Sequence, residues 1–239
     1  MLKKLMHPPS IDWPNKFKRK VETARDEHIK RYYERDLPDA TTPIEDVVFL
    51  AMDFETTGLD ADNDDIITIG TVPFTLNRIF INQAKHWTVR PNKQLEEESV
   101  VIHGITHSDV LDAPDLSEVF DQVLEEMAGK VMVVHYQRIE REFFNRALMI
   151  RIEEGIEFPV VDTMHIETQI QQRDMGGLIN RIRGKKPQSV RLGASRTRYG
   201  LPQYTPHHAL TDAVATAELL QAQVAYHYDR KQPIGQFWL

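Results

Sequence analysis

The sequence predicts an α/β fold: a mixed β-sheet flanked by helices, preceded by an N-terminal helical extension. Three observations carry this. Strand-like runs at 47–54, 65–74 and 78–89 follow one another through short connections, with Asp62-Asn63 and Asn77 at the turns, as in an antiparallel meander. The stretch DLSEVFDQVLEEMAG then places Leu116, Val119, Phe120, Val123, Leu124 and Met127 at helical spacing, with Gly129 as a stop. A further strand, KVMVVH at 130–135, and more helices complete the pattern of a mixed sheet covered by helices.

Taken in order, residues 1–44 read as an extension. Its charged helix, from about 15 to 35, is closed by Pro38, Thr41, Thr42 and Pro43. Phe17, Val21, Ala24, Ile29, Tyr32 and Tyr33 are sparse along it, so it must pack on something or fray. The main domain is expected over 45–228. After the strand at 130–135 comes a helix with Ile139, Phe143, Phe144, Ala147 and Leu148 on its apolar face. A last helix is expected from about 206 to 227, with Pro206 in its first turn. Residues 229–239 form a tail, where Phe237 and Trp238 suit either the edge of the core or a protein partner.

Composition bounds the function. The chain of 239 residues is long enough for a sizeable core, and 41% apolar with 27% charged residues is ordinary for a globular protein. No run of eighteen apolar residues appears, so no membrane association is expected and the cytoplasm is the default compartment. The absence of cysteine excludes disulfides and zinc–thiolate sites. A net charge of −7 hides an uneven distribution, because residues 173–198 carry eight Lys/Arg and one Asp. An acidic body with a basic strip suits a protein that grips a polyanion at one place and metal ions at another. A solvated basic loop is the competing reading.

Three segments carry candidate chemistry. In VVFLAMDFETTGL, an apolar strand ends with Asp53 and Glu55, two residues apart and therefore on one face. Two such carboxylates repel each other unless a cation lies between them, and hard Mg²⁺ or Mn²⁺ prefers oxygen ligands. In HHALTDAVATAEL, His207 lies at the mouth of the last helix with Asp212 five residues on, among Ala, Leu and Val. An Asp there makes a poor core residue without a partner. In VMVVHYQRIEREFFNRAL, a strand ends at His135 and Glu140 falls in the first turns of the next helix. Taken singly, each has a plainer reading: an acidic strand end, a capping His with a helix Asp, and an exposed helix acid.

Together, in this order and spacing, the segments resemble the three motifs of the DEDDh (DnaQ-like) 3′-to-5′ exonucleases, which include the proofreading epsilon subunit of bacterial DNA polymerase III. DFETTG (53–58) matches the first motif and HHALTD (207–212) the third. VIHGIT (101–106), VVDT (160–163) and RYGL (198–201) also occupy family-like places, and the resemblance spans about 46–228. The second motif departs: HYQRIE has Glu140 where the family has Asp, and Tyr136 where it has Asn.

The resemblance implies a ribonuclease H-like sheet and two-metal hydrolysis of terminal phosphodiesters. The ions would be Mg²⁺ or Mn²⁺, two per site, held by Asp53, Glu55 and Asp212, with Glu140 helping through water. His207 would be the general base, histidine being the side chain that titrates near neutral pH. Its neighbour His208 competes, but the five-residue offset to Asp212 selects His207. The substrate-facing residues implied are Phe54, Thr56, Thr57, Gly58, Leu59, His103, Ile105 and Thr106, with Leu59 and Ile105 against the terminal bases. Strand alternation by itself turns Phe54 away from the acids, toward the core. Arg173, Arg181, Arg183, Lys185, Lys186, Arg191, Arg196 and Arg198 offer positive charge for a nucleic-acid backbone. The expected partners are single-stranded DNA or RNA 3′ ends and a replication or repair protein. The alternative is a catalytically weakened binding module that keeps the fold, with Glu140 as the first sign of decay.

Overall fold

A computed structural model describes residues 11–93, 104–175 and 187–239. Strand β1 (Phe49–Thr56) and strand β2 (Ile66–Thr75) pair antiparallel, and β2 also pairs with the short strands β3 (Arg78–Ile79) and β4 (Lys85–Thr88). On its other side β1 pairs parallel with β5 (Val131–Val134), which pairs parallel with β6 (Val160–Asp162). The sheet order is β3-β2-β1-β5-β6, with β4 beside β2, and it is mixed as expected. The antiparallel run accounts for the short turns in the sequence. The parallel pairs require the crossover helices between β1, β5 and β6.

The helices are α1 (Trp13–Thr23), α2 (Glu27–Tyr33), α3 (His107–Val110), α4 (Phe120–Met127), α5 (Arg138–Ile152), α6 (Thr163–Met175), α7 (Leu192–Arg198) and α8 (Ala209–His227). Strands β2 and β5 are buried almost throughout, and β1 over most of its length, because helices cover them. The longest helix, α8, lies against β1 and β2.

The expected single N-terminal helix is two helices. Ala24 is extended, and the Asp26 carboxylate caps α2 by accepting from the His28 and Ile29 amides. Neither helix frays away: Trp13, Phe17, Ile29, Tyr32 and Tyr33 are all buried in the main core. Four of the five are aromatic, and aromatic rings bury enough area for few residues to anchor a helix. Phe17 makes ring contacts with Trp13, Tyr32 and Tyr33.

Phe237 and Trp238 also belong to the core. Trp238 bridges Val161 of β6, and the Leu239 amide donates to the Val160 carbonyl (2.8 Å). The Leu239 carbonyl in turn accepts from Trp13 Nε1 (3.0 Å) and the Arg141 guanidinium (2.5 Å).

Candidate active site

The acids come together at the carboxyl end of β1. In the β1–β5 register Ala51 lies opposite Val133, so Asp53 sits level with the end of β5, where the chain turns into α5. Glu140, in the first turn of α5, is 1% exposed, and its Oε2 has no hydrogen-bond partner. From the other side, α8 delivers Asp212 in its own first turn. Ligand atoms of Glu55, His207 and Asp212 all lie within 4.8 Å of one another.

Electrostatics ties Asp53 and Glu140 to the same cluster. Asp53 is partly open to solvent yet deeply surrounded by protein. Its carboxyl is pushed well above the usual range, first by burial and then by the charges of Glu140, Asp212 and Glu55. Burial and then Asp212 raise Glu55 to about 7. Burial followed by the Asp162 charge raises Glu140. Asp212 is raised by burial as well, though the His207 amide and the nearby cationic groups oppose this. Four carboxyls all raised by burial, Asp53 further raised by the other three and one with an orphaned buried oxygen, fit divalent cations bound by oxygen ligands.

The His207 backbone has φ 68°, and its N–H donates to Asp212 Oδ2 (2.9 Å). Helix α8 begins at Ala209, later than expected from Pro206, because His208 is its cap and accepts from the Thr211 amide at Nδ1 (3.4 Å). The His208 ring stacks on His86, with centroids 5.0 Å apart. His208 is thus a structural cap, and His207 is the histidine at the acids.

Around the DFETTG turn, side chains divide between scaffold and surface. Phe54 is 5% exposed and packs edge-on against Phe144, as strand alternation requires, so its ring belongs to the core and not to a substrate surface. Thr57 is buried, its hydroxyl donating to Asp64 Oδ1 (3.2 Å) and accepting from the Asp65 amide (3.0 Å). Thr56 donates to the Gly58 carbonyl (2.5 Å). A Cβ on Gly58 would lie 2.3 Å from the Asp64 carboxylate, which explains glycine at that position. Leu59 beyond it is 85% exposed. Ile105 packs partly buried on Ile67 and Val110, while at the start of α3 the Asp109 Oδ2 accepts from both the amide (2.7 Å) and the hydroxyl (2.6 Å) of Thr106. His103 lies outside the described residues.

Two members of the expected basic strip are otherwise engaged. Arg196 is 3% exposed and paired with Glu218, and Arg198 is paired with the buried Glu167. Arg196 is thus withdrawn from solvent, while Arg198 stays partly exposed with its guanidinium held by Glu167 and the Ser189 carbonyl. The Arg173 guanidinium lies over the Tyr228 ring, and 176–186 lies outside the described residues.

One supporting residue appeared in the sequence only as part of VVDT. Asp162, buried at the end of β6, accepts from the Tyr136 and Met164 amides at Oδ1 and from the Gln137 amide at Oδ2. It caps α6 and holds the entry to α5, where Tyr136 has φ 88°. An Asp between a β-run and a helix was the available signal.

With this geometry in place, comparison with known proteins is direct. A family model described as Exonuclease matches residues 50–220. The chain belongs to this exonuclease family. Among curated relatives, a DNA polymerase III subunit epsilon-like protein of Rhodobacter capsulatus is 29% identical over 180 residues, 75% of this chain but 24% of that protein. The DNA polymerase III PolC-type protein of Thermotoga maritima is 28% identical over 77% of this chain and 12% of its own length. The chain thus spans a quarter or less of these two relatives. DNA polymerase III subunit epsilon of Treponema pallidum is 27% identical, covering 77% of this chain and 79% of that one. Among solved structures, the nuclease domain of 3′hExo, a DEDDh family member bound to rAMP, superposes with a TM-score of 0.60 at 17% identity. That superposition covers 75% of this exonuclease-family chain and 92% of the other. Cell-death related nuclease 4 gives a TM-score of 0.62 at 19% identity, over 77% of this chain and 65% of that one. At such identities the likeness is one of fold.

Proposed function

We propose that the chain hydrolyses the terminal phosphodiester at single-stranded DNA 3′ ends and releases nucleoside 5′-monophosphates, with RNA ends as the related alternative substrate. The observation that supports this most is the convergence of Asp53, Glu55, Glu140 and Asp212, all raised by burial and with Asp53 raised further by the other three, beside His207. Asp53, Glu55 and Asp212, aided by Glu140, would hold two Mg²⁺ or Mn²⁺ ions. When bound, such ions neutralise the phosphodiester and the leaving 3′-oxygen and lower the pKa of the attacking water.

The chain's own residues do the rest. His207 is exposed at the rim of the acids, where a ring nitrogen can take the proton of the attacking water. Exposed Leu59 is placed to meet the terminal base. The epsilon-type relatives suggest a replication or repair protein as partner.

The binding-module alternative took Glu140 as a sign of decay. Its burial among the acids, with a carboxylate oxygen left without a hydrogen bond, instead favours a working ligand. The test is release of mononucleotides from a 3′-labelled single strand with Mn²⁺. His207→Ala should lower the rate on the order of 10²–10⁴-fold while leaving metal-induced thermal stabilisation intact. Strand binding by the wild type without any release would overturn the enzyme reading.

A further inference from the structure

His207 stands on an exposed turn in a left-handed conformation, which a non-glycine residue holds only if its surroundings impose it. The Asp212 carboxylate is one restraint. The other lies upstream, in the connection from α7 to α8.

That connection is gathered onto one side chain. Arg196, on α7, donates from Nη1 to the Ala215 carbonyl of α8 (2.6 Å). From Nη2 it donates to the Pro202 carbonyl (2.8 Å) and to Glu218 Oε2 (2.7 Å), so a single planar fork ties the turn to α8. The Tyr204 ring covers the guanidinium, 4.6 Å from centroid to Cζ, and the Tyr204 hydroxyl donates to the other Glu218 oxygen (3.0 Å). The Arg196 carbonyl also accepts from the Tyr199 and Leu201 amides, with Gly200 at φ 66° between them. Tyr199 and Gly200 have further partners in Glu167 and the Thr197 carbonyl, but the described hydrogen bonds of 201–204 run through Arg196 or through the Glu218 carboxylate it holds. Three residues beyond Tyr204 comes His207. Arg196, Tyr204, His207 and Asp212 line one cavity of about 600 Å³.

We propose that Arg196 is a positioning residue for His207: its clamp with Glu218, Tyr204 and Pro202 fixes the turn that aims the imidazole at the acids. This rests on the reading of His207 as general base. The clamp needs the guanidinium fork. A lysine could reach one of the three acceptors but could not span them. Loosening the clamp leaves Asp53, Glu55 and Glu140 in place, since they stand on β1 and α5.

The test uses Arg196→Met and Tyr204→Ala in the full chain, each alone and combined with His207→Ala. Tyr204 is 39% exposed, so its variant keeps the test valid should loss of the buried Arg196 prevent folding. Single-turnover release from a 3′-labelled DNA strand with Mn²⁺ should fall about 10- to 100-fold in each single variant, at nearly unchanged KM. With His207 already replaced, the same substitutions should cost about twofold or less. Equal losses in both backgrounds would overturn the proposal. Hydrogen exchange of the His207 amide supplies a readout that needs no activity. It should speed up in both clamp variants, and unchanged exchange would also overturn the proposal. If the wild type released no nucleotide, the functional reading would fail, while the exchange result would still decide whether the clamp holds His207.

Discussion

Asp53 and Gly70 lie opposite each other in the antiparallel β1–β2 register, and the missing side chain at Gly70 is filled by helix backbone. A Cβ there would lie 2.3 Å from the Ala209 carbonyl carbon and the Leu210 amide nitrogen. The first turn of α8 therefore presses directly onto β2 beside Asp53, which is how Asp212 reaches the strand acids. Gly70→Ala must push α8 away, because backbone offers no rotamer to yield. The cost should be about 1–3 kcal/mol of stability, read from the denaturant midpoint. Mononucleotide release should fall on the order of 100-fold as Asp212 and His207 retreat. A normal rate would show that α8 tolerates the shift.

Glu140 and Asp53 oppose each other in the metal-free protein, since both are buried carboxyls raised by burial and by neighbouring charge. Glu140→Gln removes one of the charges without changing shape. In EDTA this variant should melt higher than the wild type. Mn²⁺ should then restore less stability, because a ligand that binds only the folded state adds about 2.7 kcal/mol at a concentration of 100 times its Kd, and a weaker Kd adds less. Thermal melts with and without Mn²⁺ check both directions. A variant that melts lower in EDTA and gains as much from metal would remove Glu140 from the site.

The strand acids were legible because a two-residue period leaves only one face for Asp53 and Glu55. His207 and Asp212 were legible from their spacing at a helix mouth. What stayed hidden has physical reasons. Strand β6 is three residues long, and α6, TMHIETQIQQRDM, has little apolar periodicity, so neither stands out from its surroundings. The N-terminal helices looked sparse because counting apolar residues undervalues Trp13, Tyr32 and Tyr33. Arg196 and Arg198 looked like surface charge because their acceptors, Glu218 and Glu167, are 22 and 31 residues away in sequence. Gly70 carried no local signal at all: its reason lies in a helix that starts 139 residues later.

Trp238 docks the C-terminal tail onto β6, next to the residue that meets the N-terminal helix. It is 4% exposed and bridges β6, while the following residue accepts from Trp13 and Arg141. Trp238→Ala should cost about 3–5 kcal/mol, measured by urea denaturation. The turn bearing His207 is held by contacts elsewhere, so the rate at temperatures well below the melt should stay within about twofold of wild type. A comparable loss of rate at full folding would instead connect the docked tail to the active site.

His135 makes stability depend on pH on the acid side. Its ring lies between Thr163 Oγ1 (2.8 Å from Nδ1) and the Val190 carbonyl (3.0 Å from Nε2). A carbonyl only accepts, so the neutral ring carries its proton on Nε2. Burial lowers the pKa from 6.5 to about 4, against the Asp162 charge and the Val190 hydrogen bond. The folded protein therefore keeps His135 neutral where the unfolded chain would protonate it. Stability from this group is complete above pH 6.5, declines as the pH falls toward 4, and is lost below. The full difference is about 3 kcal/mol at 1.36 kcal/mol per unit. Urea midpoints of wild type and His135→Gln, compared from pH 7.5 to 4.5, isolate it from the other titrating groups. The wild type should lose stability faster on acidification, and the two curves should run parallel above pH 7. Parallel curves throughout would mean that the folded protein holds His135 as readily protonated as the unfolded chain does.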